Sequence, residues 1–191
     1  FFKYSDLISE NVDVLGLPID FPNTSYRNSD NLNIILKILN FFKNKHKKPI
    51  LRIGTVVTKD NINELEKIGS LIKDYPINIW KIYEFIPQNN AVKNKSLLEV
   101  SSQQFDETTQ KIKDEFSDFF TIAISKRKNR TNAYFFVASN GEVFMPVDDF
   151  DICREIKIGN VFNDDIIEKW EKFVSENNYQ CNAKVTFDYK F

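Results

Sequence analysis

The sequence predicts an α/β fold, a βαβαβ run followed by a smaller α+β extension. Strand-like segments at 12–20, 50–58 and 77–87 alternate with two stretches of helical spacing. Their connections are short, as expected for sequential neighbours in one sheet. Beyond about residue 120 the pattern changes: apolar and aromatic runs flank the turn Ser139-Asn140-Gly141, a hairpin signal.

Residues 4–10 read as the end of a helix. The run 12–20 is mostly apolar, as in a parallel sheet covered on both faces. Its alternation turns Leu15, Leu17 and Ile19 one way and Gly16, Pro18 and Asp20 the other. After a turn-rich loop, Ser29 or Asp30 caps a helix carrying Leu32, Ile35, Leu36, Leu39 and Phe42 at helical spacing. In the second strand Leu51, Ile53, Thr55 and Val57 share a face, with Arg52, Gly54 and Val56 opposite. Asn61 and Glu64 form a capping pair for a helix over 62–73 that buries Leu65, Ile68, Leu71 and Ile72. Asp74-Tyr75-Pro76 stops that helix.

The third strand, rich in Ile, Trp, Tyr and Phe and stopped by Pro87, holds Lys81 in its middle. A buried ammonium costs several kcal/mol, roughly, unless a partner or an anionic ligand compensates it. A polar loop over 88–99 leads to Ser101 and Gln104, a second capping pair, for a helix reaching about Phe120 with Phe105, Ile112 and Phe116 inward. The hairpin joins 133–137 to 142–146. Asn163 then caps a short helix bearing Ile166, Ile167, Trp170 and Phe173, and 184–191 alternates like a last strand.

Composition sets limits. With 42% hydrophobic and 28% charged residues over 191, the chain can bury a sizeable core. A net charge of −1 gives no basic field for nucleic acid. Cys153 and Cys181 form neither a disulfide framework nor a metal-ligand spacing, which suits a reducing cytoplasm. No apolar run reaches transmembrane length, so no membrane partner is expected. The chain opens on Phe1 and its single methionine is Met145, so it reads as a fragment or a processed product. The basic runs at 43–48, which holds His46, and at 126–130 read either as solvated turns or as anion contacts.

The order of motifs is informative. Gly16-Leu17-Pro18-Ile19-Asp20 is followed by Arg52-Ile53-Gly54-Thr55-Val56-Val57 and then by Trp80-Lys81-Ile82-Tyr83-Glu84-Phe85-Ile86-Pro87. Asn140-Gly141-Glu142-Val143 and Ile158-Gly159-Asn160-Val161-Phe162 come later. In this order they resemble the second half of the radical S-adenosylmethionine barrel, from its fourth strand to its C-terminal extension. The resemblance implies a partial (β/α) barrel fragment over 1–120, with about three parallel strands and their helices. It implies a C-terminal α+β extension over 121–191 containing the hairpin. The defining Cys-x3-Cys-x2-Cys loop and the Gly-Gly-Glu-type motif are absent. Those thiolates hold the [4Fe–4S] cluster, and Cys153 and Cys181 cannot replace them. S-adenosylmethionine and the cluster are therefore expected for a full-length parent, an oxidoreductase or lyase, and this chain alone is expected to bind neither and to be inactive.

The resemblance also implies site residues. Pro18 and Asp20 occupy the region that contacts the ribose or methionyl part of the cofactor, while Thr55, Val57, Phe85 and Pro87 lie near its adenine. The Trp-Lys pair of the third strand and the basic residue early in the second are similar to viperin-like enzymes, which dehydrate nucleoside triphosphates. Lys81 and Arg52 would then approach the nucleotide, with Tyr134 a base or ribose contact. Gly54 departs from that pattern, which has an asparagine there.

In a barrel, inward side chains face the lumen. Gly16, Pro18 and Asp20, Arg52, Gly54 and Val56, and Lys81, Tyr83 and Phe85 form the inward sets. Small residues leave room, and the two cations admit two readings. Asp20, Arg52 and Lys81 close the barrel floor as a network, or a small anionic substrate, a nucleotide among the candidates, binds Arg52, Lys81 and Tyr83. A non-catalytic α/β binding or partner module with a basic anion pocket is the alternative to the radical enzyme. A cut barrel also exposes a strand edge, which favours edge-strand pairing or a homodimer.

Overall fold

The computed structural model describes residues 1–24, 29–46, 48–129, 134–149 and 152–176. The expected last strand at 184–191, Cys181 and the hairpin's start at Ala133 lie outside these residues. In chain order the elements are α1 (Ser5–Asn11), β1 (Val14–Pro18), α2 (Ser29–Lys43), β2 (Ile50–Val57), α3 (Leu65–Ile72) and β3 (Ile79–Glu84). They continue with α4 (Lys95–Leu98), α5 (Ser102–Phe116), β4 (Thr121–Ser125), β5 (Phe136–Val137), β6 (Glu142–Asp149), β7 (Ile152–Asn160) and α6 (Ile166–Glu176). Among the described residues no helix is long and apolar enough to cross a membrane.

The chain forms two compact units, Phe1–Phe85 with Leu98–Ser125, and Ile86–Leu97 with Lys126–Phe191. The first holds a four-stranded parallel sheet in the order β1-β2-β3-β4; the second holds a separate three-stranded antiparallel sheet in the order β5-β6-β7. This mixed α/β architecture is consistent with a partial barrel plus a β extension. The fourth parallel strand adds to the three expected. Thr121–Ser125 pairs with β3, so the parallel sheet runs past residue 120.

In the first unit the alternation is obeyed. Leu17, Ile19, Leu51, Ile53, Val57, Trp80 and Ile82 are buried on one face under Leu39 and Phe42 of α2, Leu65, Ile68 and Ile72 of α3, and Phe105, Ile112 and Phe116 of α5. Fully burying a side chain of this size contributes about 1.5–3 kcal/mol, so this face drives the packing. α5 starts where the sequence predicts, with a complete capping box between Ser101 and Gln104. Close helix packing explains Gly69: a Cβ there would approach the Phe116 ring to 2.6 Å.

Among the polar groups inside this core, two are linked across the strands. The Trp80 indole is fully buried and donates from Nε1 to Thr55 Oγ1 at 2.9 Å. Thr55, equally buried, donates its own proton to the Ile19 carbonyl at 2.6 Å. The relay joins β3 to β2 and to the residue after β1. Both hydrogen-bonding roles of the hydroxyl are used.

In the second unit β6 and β7 form the main hairpin, with a bulge between Val143 and Phe144. β5 adds two residues through a turn in which Gly141 has φ +82°, a left-handed conformation that favours glycine. Val143, Met145, Val147, Cys153 and Ile166 are buried. At α6 the cap is Asp165, whose Oδ1 accepts from the Glu168 N–H at 3.0 Å, rather than the expected Asn163. An aspartate three residues before the donating N–H outcompetes an asparagine two positions further out. Glu142 pairs with Lys157, and Asp164 with Lys169.

Two predictions follow from these contacts. Thr55→Val keeps the shape but strands the Trp80 N–H and the Ile19 carbonyl, each at about 1–3 kcal/mol. Denaturant titration should show a loss of about 2–4 kcal/mol, and a change under 0.5 kcal/mol would mean that the relay does not contribute.

The bond from Lys157 holds the Glu142 carboxyl below its usual range, and Lys169 does the same for Asp164. A depressed folded value means that each pair stabilises the fold above the unfolded carboxylate range, near about pH 4, and ceases to as pH falls through the folded value. NMR titration should therefore place both midpoints below those of unfolded carboxylates, and Lys157→Met should raise that of Glu142 more than that of Asp164.

Candidate functional site

The second face of the parallel sheet carries the polar residues. Register places Pro18, Gly54, Lys81 and Ala123 in one row across the four strands. Gly16 and Arg52 lie in the row toward the strand starts, and Val56, Tyr83 and Ser125 in the row toward the strand ends. The carboxyl ends of parallel strands are where α/β proteins bind ligands.

Arg52, Lys81 and Tyr83 are half-buried on this face. Arg52 leans across β1: a Cβ on Gly16 would lie 3.2 Å from its Nη2. Tyr83 leans across β2 in the same sense, its Cε2 3.4 Å from the position a Cβ on Gly54 would take. The Lys81 ammonium rests 5.2 Å from the centre of the Tyr83 ring, within cation–π range. The small residues expected to leave room for a ligand thus accommodate a neighbouring strand's side chain instead. Lys81 is half-buried rather than enclosed on both sides of its strand.

The strand ends are fastened by two side chains. Asp20 Oδ1 accepts from the Val56 N–H at 2.9 Å. Asn61, 1% exposed, donates to the carbonyls of Asp20 at 2.9 Å and Val56 at 2.8 Å and accepts from the Thr58 N–H at 2.8 Å. The expected pairing of Asn61 with Glu64 as a helix cap does not form; its side chain makes no capping bond and ties β1 to β2. Nothing in the sequence separates these roles, because an asparagine just before a helix suits both.

Beside this fastening, Pro18, Ile19, Asp20, Phe21, Asn23 and the start of α2, with Asn31, Leu32 and Ile35, line a pocket of about 220 Å³. Sequence reasoning found Pro18 and Asp20 but missed Asn23 and Asn31, which sit in and after a loop without periodicity.

The remaining expected site residues are placed differently. Thr55 and Val57 are fully buried on the helix-covered face, and the Thr55 hydroxyl is consumed in the core. Their side chains are therefore withdrawn from any ligand, and a contact with adenine would fall to their backbone. Phe85 is buried at the end of the first unit's third strand segment. Pro87 belongs to the second unit, where its carbonyl accepts from the Cys153 N–H at 3.1 Å. Tyr134 is also in the second unit, its ring 5.1 Å from that of Phe136. Thus Pro18, Asp20, Arg52, Lys81 and Tyr83 share one sheet face, whereas the others do not. Among the described residues no three His, Cys, Asp or Glu side chains are grouped to hold a metal ion.

No protein-family model and no curated protein matches the chain. A solved structure does: native anSMEcpe with bound AdoMet and Kp18Cys peptide, an anaerobic sulfatase-maturating enzyme of the radical S-adenosylmethionine class. The TM-score is 0.54 at 15% identity, over 88% of this chain and 53% of the other. The likeness is one of fold. The chain spans about half the length of that structure.

The fastening and the leaning side chains predict opposite sensitivities. Asn61→Ala removes bonds to three backbone groups and should cost about 2–4 kcal/mol in a denaturant titration. Gly16→Ala meets the mobile end of Arg52 and should change stability by less than about 1 kcal/mol. Equal losses would overturn this assignment.

Proposed function

We propose that this chain is the C-terminal part of a radical S-adenosylmethionine enzyme, contributing part of the cofactor site and the substrate pocket. The observation that carries the reading is the fold likeness over 88% of the chain to an enzyme of that class. The order of motifs in the sequence supports it.

The cofactors fit this chain unequally. Its residues do not fit a [4Fe–4S] cluster, since Cys153 is 3% exposed and no ligand group gathers among the described residues. The cluster thiolates belong to the missing half in this reading. The pocket beside Pro18 and Asp20, at about 220 Å³, is below the roughly 300–1,000 Å³ of a whole drug-sized ligand, and suits a fragment such as the ribose or methionyl group. The cofactor's chemistry is reductive cleavage to 5′-deoxyadenosine. This chain's own part is to bind and orient.

Arg52 and Lys81 are the substrate contacts of the proposal, taking a small anion, with Tyr83 shaping the space between them. β1 is an edge of the parallel sheet, which makes it the place where a preceding strand or a second chain would pair. The cytoplasm is the compartment that suits such chemistry.

The deciding experiment is to read the coding region upstream of Phe1. It should encode three closely spaced cysteines in the Cys-x3-Cys-x2-Cys pattern, and their absence overturns the proposal. Arg52 and Lys81 equally favour a competing reading, a non-catalytic module that binds anions. That module wins if the cysteines are absent while phosphate or carboxylate ligands still raise the melting temperature. Thermal shifts with nucleoside triphosphates test the viperin-like version separately. A shift that Lys81→Gln abolishes supports it, and no shift with any triphosphate removes it.

A further inference from the structure

We propose that Asn140 is a deamidation site that the β5–β6 turn holds shut in the folded chain and releases when the turn opens. Asn140-Gly141 is the single Asn-Gly pair in the sequence, and Asn140 is exposed. Glycine carries no Cβ, so its nitrogen approaches the preceding side-chain amide with the least hindrance. The Gly141 amide gives up its proton to base, and its nitrogen bonds to Asn140 Cγ. The Cγ–Nδ2 bond breaks, and Nδ2 leaves as ammonia after taking a proton from water. Water then opens the cyclic imide at either carbonyl and leaves aspartate or isoaspartate, so one water is consumed for each ammonia released.

The turn engages each atom that this step must move. Gly141 donates its N–H to the Ala138 carbonyl at 2.9 Å. Asn140 Nδ2 donates to Glu142 Oε2 at 2.9 Å, and Asn140 Oδ1 accepts from the Glu142 N–H at 3.1 Å. Glu142 is itself held, because Lys157 donates to its other carboxylate oxygen. Asn160 Nδ2 donates to the Asn140 carbonyl at 3.3 Å, and Ala138 closes the turn by donating to the Glu142 carbonyl at 2.8 Å. Asn140 is therefore restrained by hydrogen bonds rather than by burial. A reaction that needs a local opening slows in proportion to the fraction of molecules that are open. Once it occurs, the Nδ2 donor is lost and a second carboxylate stands against Glu142. Isoaspartate also lengthens the backbone of a turn fitted to the native chain. The product thus favours the open turn, and the change runs one way.

Incubation of the full chain in mildly alkaline buffer, followed by peptide mapping in a mass spectrometer, tests this. The peptide holding Asn140 should exchange amide for acid at least about tenfold more slowly in the folded chain than in denaturant. Glu142→Ala, which releases Nδ2, should speed the reaction in the folded chain. Glu142→Gln, which keeps an acceptor there, should stay closer to the unaltered rate. Across these variants the rate should rise with hydrogen exchange at the Ala138 amide, the readout of turn opening, and Asn140→Asp should itself raise that exchange. Equal rates in the folded chain and in denaturant overturn the proposal. So does a rate unrelated to Ala138 exchange, or an Asn140→Asp chain whose Ala138 exchange is unchanged. A folded chain that reacts faster than the denatured one also overturns it, and makes Glu142 a base that promotes the attack.

Discussion

The relay from the Trp80 indole through the Thr55 hydroxyl to the Ile19 carbonyl is the interaction on which the first unit depends. It crosses three chain segments inside a core where a stranded polar group costs about 1–3 kcal/mol. A one-residue slip of β2 would turn Thr55 to the other face and leave both partners unsatisfied. Hydrophobic burial alone would accept several registers of such Ile- and Val-rich strands. The relay selects one. The faces themselves are set by burial, because a slip by one residue would also turn Arg52 toward the helices.

That second face follows its own rule. Side chains on β2 and β3 lean toward the preceding strand, and a glycine lies beneath each: Gly16 under Arg52, Gly54 under Tyr83. The glycines serve close packing of long polar side chains rather than an empty lumen. Lys81 completes the arrangement by lying over Tyr83, which offers the ammonium a favourable surface without enclosing it. A basic residue in the middle of a strand is thus accommodated on the half-buried face, with its ammonium against an aromatic ring.

Much of this was legible in the sequence. Period-two alternation in 12–20, 50–58 and 77–87 predicted the faces correctly, and Ser101 with Gln104 announced the start of α5. Thr121–Ser125 escaped because five short residues follow a helix without turn punctuation, and parallel pairing is a non-local event. Residues 152–160 escaped for a related reason: Arg154, Glu155 and Lys157 interrupt the apolar alternation of an otherwise long strand. Within the site, Pro18, Asp20, Arg52, Lys81 and Tyr83 could be assigned to one face from alternation alone. Asn61 could not be assigned, since its partners are backbone groups on two strands that the sequence does not bring together. Thr55 and Val57 show the converse limit. The resemblance pointed to them as cofactor contacts, but their strand phase directs the side chains into the core.

Arg52 connects this site to the edge of the sheet. Its guanidinium lies over Gly16 of β1, the strand that has a neighbour on one side in the order β1-β2-β3-β4. Any strand that pairs with the free side of β1 would therefore approach the surface on which Arg52 rests. Asp20 and Asn61 hold the other end of the same strand to β2, so β1 cannot shift without disturbing both. The edge strand, its fastening and the arginine thus behave as one unit. Completion of the sheet by a further strand would set the position of this cation without changing a residue of the face it lies on.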